Sequence, residues 1–276
     1  YVYQVEKEEC LTLPPKLYDY RIFSMTPDQY ETYEEVKDKI LDEMALTVDP
    51  SLSSIAIFRL FSSLQQVTCG FWNERLDEVK PGKKQKDKRF RFRELDCRRV
   101  DTLMDTINDI PKDSKIVIFC KFQYDIDCIS AALEKAYGKD SYAVFCGKIS
   151  ESRRVEQVRH FRNEARFFVI NQASGGHGLT LNEASYVIFY NNAFKYSERE
   201  QAEDRCHRIG QDKTVTYIDI TCRDSIDVRI MDSLHNKGDV IADFKHEVQK
   251  VKKERAKKVH DELLGKEHLK ELIKAL

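Results

Sequence analysis

The sequence predicts an α/β fold, a parallel sheet covered by helices on both faces, and three observations carry that prediction. Five short runs are apolar at consecutive positions: KIVIFC (115–120), SYAVFC (141–146), RFFVIN (166–171), SYVIFY (185–190) and TVTYIDIT (214–221). Strands buried on both faces read this way, whereas half-exposed strands alternate. The stretches between and after these runs have helical spacing, to about Tyr137, over Ser150–Phe161, over 197–208 and from Ser225. Strand–helix alternation of this kind calls for crossover connections and hence parallel strands.

The N-terminal hundred residues read differently. YRIFSM (Tyr20–Met25) alternates like a strand. Thr26-Pro27-Asp28-Gln29 then starts a helix, with Thr26 as cap, Pro27 in the first turn and Gln29 closing a capping box. A second helix is expected over Ile55–Phe71 and a third over Cys97–Ile110. Between them residues 80–93, opened by Pro81-Gly82 and rich in lysine, read as a loop. The expected organisation is a lead-in segment and first strand (1–25), a helical insertion (26–110, basic loop 80–93), an α/β core (111–243) and a C-terminal basic helix (244–276).

Composition limits the function. Hydrophobic residues make up 41% of the 276 positions, enough for a core, and charged residues 34%. Formal net charge is −1, so no bulk charge draws the chain to nucleic acid. Locally the balance is uneven: net −7 over residues 1–50, +7 over 80–99 and +4 from Lys245 onward. A basic patch binds phosphate whatever the total, although such runs are commonly no more than solvated faces. The eight cysteines contain no CxxC, so no zinc site is expected and reduced thiols suit a cytosolic or nuclear setting. The apolar runs are strand-length, so neither a membrane span nor a signal peptide is expected.

Two strings carry chemistry. In QAEDRCHRIGQ (Gln201–Gln211), a helix over Ser197–Arg208 puts Gln201, Arg205 and Arg208 on one face, and Gly210 ends it in a left-handed conformation. Two guanidiniums on a rigid face suit phosphate. The bland alternative is a solvent-exposed helix with Glu198, Glu203 and Asp204 as ion-pair partners. In NQASGGHGLTLNEA (Asn171–Ala184), glycines 175, 176 and 178 follow the third strand of the core, at the carboxyl edge where open α/β sheets hold ligands. Taken alone, such a loop is more often a tight turn.

In this order and separation the two strings resemble motifs five and six of the Swi/Snf branch of superfamily-two helicases. The resemblance runs over residues 10–240. KIVIFCKF (Lys115–Phe122) looks like motif four, VFCGKISESRRVEQVRHF (Val144–Phe161) the segment after it, and TCRDSIDVRI (Thr221–Ile230) the element after motif six. LPPK (Leu13–Lys16) and FRLFSSLQQVTCGF (Phe58–Phe71) are similar to earlier stretches of the family. The resemblance implies a RecA-like C-terminal lobe that closes over ATP and Mg²⁺ held mainly by an N-terminal lobe of the same polypeptide, on double-stranded DNA. It implies arginine fingers at Arg205 and Arg208, ATP-binding positions at Gly175, Gly176, Gln201 and Gln211, and DNA-backbone contacts at Lys121, Lys148, Arg153 and Ser174. Ser174, His177, Thr180 and Phe194-Lys195-Tyr196 depart from the usual family residues. They point to a divergent branch, bacterial or phage, hence cytoplasmic, or nuclear in a eukaryote.

No GxxxxGK[ST] and no Asp-Glu-x-His occurs in the sequence. A cradle for the β- and γ-phosphates is therefore expected from the N-terminal lobe, and negligible ATPase activity from this chain by itself. A second reading makes the chain a degenerate lobe that binds nucleic acid or protein through Lys80–Arg99 and the tail. A third, an unrelated flavodoxin-like domain, explains the alternation but not the two strings together.

Overall fold

The structure, a computed structural model, describes residues 13–46, 54–75, 90–172, 178–256, 271 and 273–275. The chain divides into two compact units, one of residues 1–22 and 100–221, the other of residues 23–99 and 222–276.

The first unit holds the sheet. Its strands are β1 (Lys16–Phe23), β4 (Lys115–Cys120), β5 (Tyr142–Phe145), β6 (Phe167–Asn171), β7 (Ala184–Phe189) and β8 (Val215–Cys222), in the order β1-β8-β7-β4-β6-β5. The pairs from β5 to β8 are all parallel, with Ile118 of β4 opposite Val169 of β6 and Ile188 of β7. All of the predicted apolar runs are strands. Ile116 to Cys120 are completely buried, as the consecutive apolar residues require when helices cover both faces. Val117, Phe119, Phe161, Phe168, Val187, Phe189 and Tyr217 share one core cluster, in which the Phe119 and Phe189 rings stack 5.2 Å apart.

The helices of this unit are α3 (Arg99–Asn108), α4 (Gln123–Tyr137), α5 (Glu151–Asn163) and α6 (Tyr196–Glu203). The Asp125 carboxylate accepts the Phe122 amide at 2.9 Å and starts α4, and Ser150 caps α5 by accepting the Arg153 amide. The chain passes from β4 to β5, back to β6, and then across β4 to β7. The carboxyl ends of β6, β4 and β7 thereby lie side by side, and the direction of winding reverses at β4.

The second unit holds α1 (Pro27–Leu46), α2 (Ser54–Thr68), the strands β2 (Phe71–Arg75) and β3 (Phe90–Glu94), α7 (Ile226–His235) and α8 (Val240–Ala256). The Thr26 capping box forms as expected: the Gln29 amide donates to Thr26 Oγ1 at 3.3 Å and the Thr26 amide to Gln29 Oε1 at 3.1 Å. Its core gathers Tyr33, Val36, Leu60, Phe61, Leu64 and Phe244. Arg99, completely buried, pairs with Asp227 and donates from Nε to the Thr68 carbonyl at 3.1 Å.

Two expectations are corrected here. The second helix stops at Thr68, because Gly70 adopts a left-handed φ of 88° and turns the chain into β2. Phe90–Arg93 is not loop but strand: FRFRE pairs antiparallel with FWNER, Phe71 opposite Glu94. The rest of the basic stretch, residues 76–89, lies outside the described residues.

Candidate functional site: the carboxyl edge of the sheet

Side-chain amides tie the ends of three strands together. Asn191, just past β7, accepts the Lys121 amide at 2.7 Å through Oδ1 and donates to Asp125 Oδ2 at 2.7 Å. Asn171, the last residue of β6, donates to the Lys121 carbonyl at 2.6 Å. Gln172 donates to the Asn191 carbonyl at 3.2 Å. The backbone of Lys121 is thus held on both sides at the end of β4, and its Nζ lies 3.2 Å from the centre of the Phe194 ring. Lys148 and Arg153 are exposed at the turn from β5 into α5. β5 is two strand spacings from β4, about 10 Å. Three of the expected phosphate-contacting residues therefore flank the exit of β6. Ser174, Gly175 and Gly176 fall in residues 173–177, outside the described residues.

The arginine-bearing string does not form the continuous helix expected of it. Helix α6 ends at Glu203, and residues 204–210 run as successive turns. One last helical bond, from the His207 amide to the Glu203 carbonyl at 3.0 Å, closes the turn after α6, and beyond it side chains and distant backbone reach the carbonyls. The Glu203 carbonyl accepts the Tyr217 hydroxyl at 3.0 Å, that of Arg205 the Leu181 amide at 2.9 Å, and that of Ile209 the Asn182 Nδ2 at 2.8 Å. Cys206 offers its carbonyl to Gln211 Nε2 at 2.9 Å, and His207 Nε2 bonds the Pro14 carbonyl at 2.7 Å. Gly210 takes a positive φ of 94°, but seven residues past the last residue of α6, so it closes the run of turns and not the helix it was expected to end.

Gln201 is exposed on α6, Arg208 is exposed in the turns, and Arg205 is half-buried, its guanidinium pKa lowered by desolvation. Gln211 is buried and faces inward. Its amide reaches the carbonyls of Asn182 and Ala184, both at 3.1 Å, as well as that of Cys206.

A buried charge network supports the start of this segment. Arg199 on α6 donates to Asp219 of β8 through Nη1 at 2.5 Å and Nη2 at 3.0 Å, to Asn192 Oδ1 at 2.8 Å, and to Glu203 Oε1 at 2.8 Å. Its guanidinium carbon sits 3.5 Å from the Phe189 ring centre. Glu203 Oε2 accepts Lys16 Nζ and the Tyr18 hydroxyl, both at 2.9 Å. Two cations face two carboxylates. The neighbouring carboxylates raise the pKa of Arg199 against the opposing effect of burial. Sequence reasoning named Glu203 only as an exposed ion-pair partner and did not single out Arg199, Asp219, Asn192 or Lys16. One signal was available: Asp219 interrupts the apolar run TVTYIDIT.

Among the described residues no group of three or more His, Cys, Asp or Glu side chains could hold a metal ion, and no helix is long and apolar enough to cross a membrane.

Residues 98–210 match the family model "Helicase conserved C-terminal domain". The human chromatin-remodeling ATPase INO80 is 30% identical over 128 residues, 46% of this chain and 8% of that protein. The DNA repair protein rad8 of Schizosaccharomyces pombe is 34% identical over 119 residues, 42% of this chain and 10% of that protein. The chain therefore spans a small part of the curated relatives it matches. Among solved structures, the C-terminal part of the Fun30 ATPase domain superposes with a TM-score of 0.57 at 19% identity, covering 80% of this chain and 89% of that one. The Sulfolobus solfataricus SWI2/SNF2 ATPase core in complex with dsDNA superposes with a TM-score of 0.62 at 21% identity, covering 81% and 44%. The sheet has the RecA-like fold of these solved structures, residues 98–210 are similar to the helicase conserved C-terminal domain, and the curated relatives that match are ATPases and repair proteins of the Swi/Snf-related kind.

Proposed function

We propose that the chain is the second motor lobe of an ATP-driven translocase or remodeller acting on double-stranded DNA. In this reading an N-terminal lobe of the same polypeptide binds ATP and Mg²⁺, and this lobe closes on the γ-phosphate. Arg205 and Arg208 act as the arginine fingers. Gln201, Gln211, Gly175 and Gly176 border the nucleotide, Gln211 by holding the backbone of the finger segment. Lys121, Lys148, Arg153 and Ser174 follow the DNA backbone. The motor works wherever its DNA lies, in a bacterial or phage-infected cytoplasm or in a nucleus.

The observation that carries the reading is the pinned segment 204–210. The Arg205, Cys206 and Ile209 carbonyls are held by Leu181, Gln211 and Asn182 while Arg208 stays exposed. A charge presented from a fixed backbone needs little reorganisation when phosphoryl transfer develops negative charge. Fingers of this kind contribute about 10³–10⁵ in rate.

The test is DNA-stimulated ATP hydrolysis by the two-lobe polypeptide and by this chain alone. The expected result is turnover only in the former, lowered about 10³-fold or more by Arg208→Ala. Turnover by the isolated chain, or an Arg208→Ala two-lobe protein of unchanged rate, overturns the reading.

A further inference from the structure

The buried charge network at α6 has no part in the chemistry assigned above, and its composition asks for a reason. Arg199, Asp219 and Glu203 are 5%, 3% and 7% exposed. Charges this deeply buried lose hydration that their pairing does not fully restore, and apolar side chains of similar size would pack the site as stably. What the charges add is direction. Two guanidinium nitrogens on two carboxylate oxygens fix the roll of α6 against β8, because a planar fork accepts only one approach. Asn192 joins both partners, with Nδ2 on Asp219 Oδ1 at 2.7 Å and Oδ1 on Arg199. Glu203, the last residue of α6, is tied to Arg199 on one carboxylate oxygen and to Lys16 and Tyr18 of β1 on the other. The stack of Tyr18 on Tyr217, centroids 5.4 Å apart, holds that second tie in place. The finger segment begins one residue later. Its origin is therefore fixed to β1, to the end of β7 and to β8 at once.

We infer that Arg199 and Asp219 are positioning residues for ATP hydrolysis: through Glu203 they set where the segment 204–210, and so Arg205 and Arg208, stand against the nucleotide. The inference rests on the motor-lobe reading. It differs from a stability role in what it predicts. A catalytic group displaced by about 1 Å can cost on the order of 10²-fold in rate without loss of binding.

The experiment compares variants of the two-lobe polypeptide. Asp219→Asn keeps the shape of the side chain and removes its charge. Expected are a kcat for DNA-stimulated hydrolysis lowered about 10- to 100-fold, with KM for ATP and affinity for duplex DNA each within about twofold of the parent, as loss of an interaction made only in the transition state requires. Hydrogen exchange at the amides of residues 204–210 is expected to quicken, with β4 to β7 unchanged. The double variant Arg199→Met/Asp219→Leu, which removes both charges of the fork, is expected to keep the low kcat whatever its thermal midpoint.

A folded Asp219→Asn protein with parental kcat overturns the inference. So does a double variant that regains kcat together with stability, since that is the mark of packing alone. If Asp219→Asn does not fold, Lys16→Met severs the outer tie, and it leaves Glu203 bonded to Arg199 and Tyr18. A several-fold drop in kcat at constant KM supports the inference, and an unchanged kcat overturns it. Arg208→Ala in the same background separates the two readings. If that variant retains full activity, the finger assignment itself has failed. If it is inactive while Asp219→Asn is fully active, only the positioning role has failed.

Discussion

The backbone amide of Leu181 donates to the backbone carbonyl of Arg205 at 2.9 Å. Leu181 belongs to the glycine-containing string, three residues beyond Gly178, so this backbone hydrogen bond, with that of Asn182 Nδ2 on the Ile209 carbonyl, joins the two strings that carry the chemistry. Gln211 reinforces the junction from the other end of the arginine segment by reaching Asn182, Ala184 and Cys206.

Gln211→Ala is expected to destabilise the first unit. It deprives buried carbonyls of a donor that no neighbour replaces, at a cost of about 1–3 kcal/mol. Urea unfolding followed by circular dichroism measures the shift. A midpoint equal to the parent's shows that the amide is dispensable.

In the second unit, Asp227→Ala leaves the guanidinium of Arg99 buried without its carboxylate and takes the acceptor from the Cys222 amide, 3.1 Å away. A loss of about 3–5 kcal/mol is expected, whereas Arg99→Met combined with Asp227→Leu is expected to cost only the about 1–3 kcal/mol of the Cys222 amide left without its acceptor. Equal losses in the two proteins argue against the ion pair as the cause.

Gly70→Ala is expected to cost about 1–3 kcal/mol. The φ of 88° strains any L side chain, and a Cβ there sits 2.7 Å from the Cβ of Cys97. The Leu95 amide bonds the Gly70 carbonyl at 2.9 Å, so the turn has little room to yield. Thermal melts of the two proteins decide it.

Stability is expected to fall in alkali. Burial raises the pKa of the phenols Tyr33 and Tyr217 and of the thiols Cys97, Cys206 and Cys222, the last pushed up to about 12. Each group keeps its proton in the folded chain at a pH where the unfolded chain releases it. Its contribution is fully present below the unfolded pKa, about 8.5 for thiols and 10 for phenols, and is lost as pH climbs to the folded value. Within that window each such group costs about 1.4 kcal/mol per pH unit. Lys115, its pKa lowered by burial, works the other way. Urea midpoints from pH 7 to 10.5 are expected to hold steady to about pH 8.5 and then decline with increasing slope. A flat profile to pH 10.5 removes the burial argument.

The five core strands were legible because burial on both faces leaves consecutive apolar residues, a property of each segment by itself. The Thr26 cap was legible for the same local reason. The course of 204–210 was not. Side-chain spacing favoured a helix, but the Arg205 and Ile209 carbonyls are taken by the Leu181 amide and the Asn182 carboxamide, which come from elsewhere in the chain. The hairpin of β2 and β3 was missed because its register joins Phe71 to Glu94 across an intervening basic run. Gly70 and the alternation of FRFRE were the visible traces of it. At the carboxyl edge Lys121 was named from the sequence as a candidate, but the asparagines that fix its backbone were not, since an amide at a strand end has no pattern until its partners are known.

Strand β1 lies beside β8, nearly two hundred residues later in the chain, and Arg99 waits for Asp227. Each unit is therefore assembled from two separated stretches of sequence. A ribosome must make the chain past residue 221 before either unit is complete, and until β8 and then Asp227 are made, β1 and the Arg99 guanidinium lack the strand and the carboxylate they pair with. Contacts of such long sequence separation slow folding, because the loop is closed before it is rewarded. The same interleaving bears on how the protein can be cut. A truncation before β8 removes the strand that joins β1 to β7 and a counter-ion from the helical unit in one stroke, so fragments ending there are expected to be insoluble.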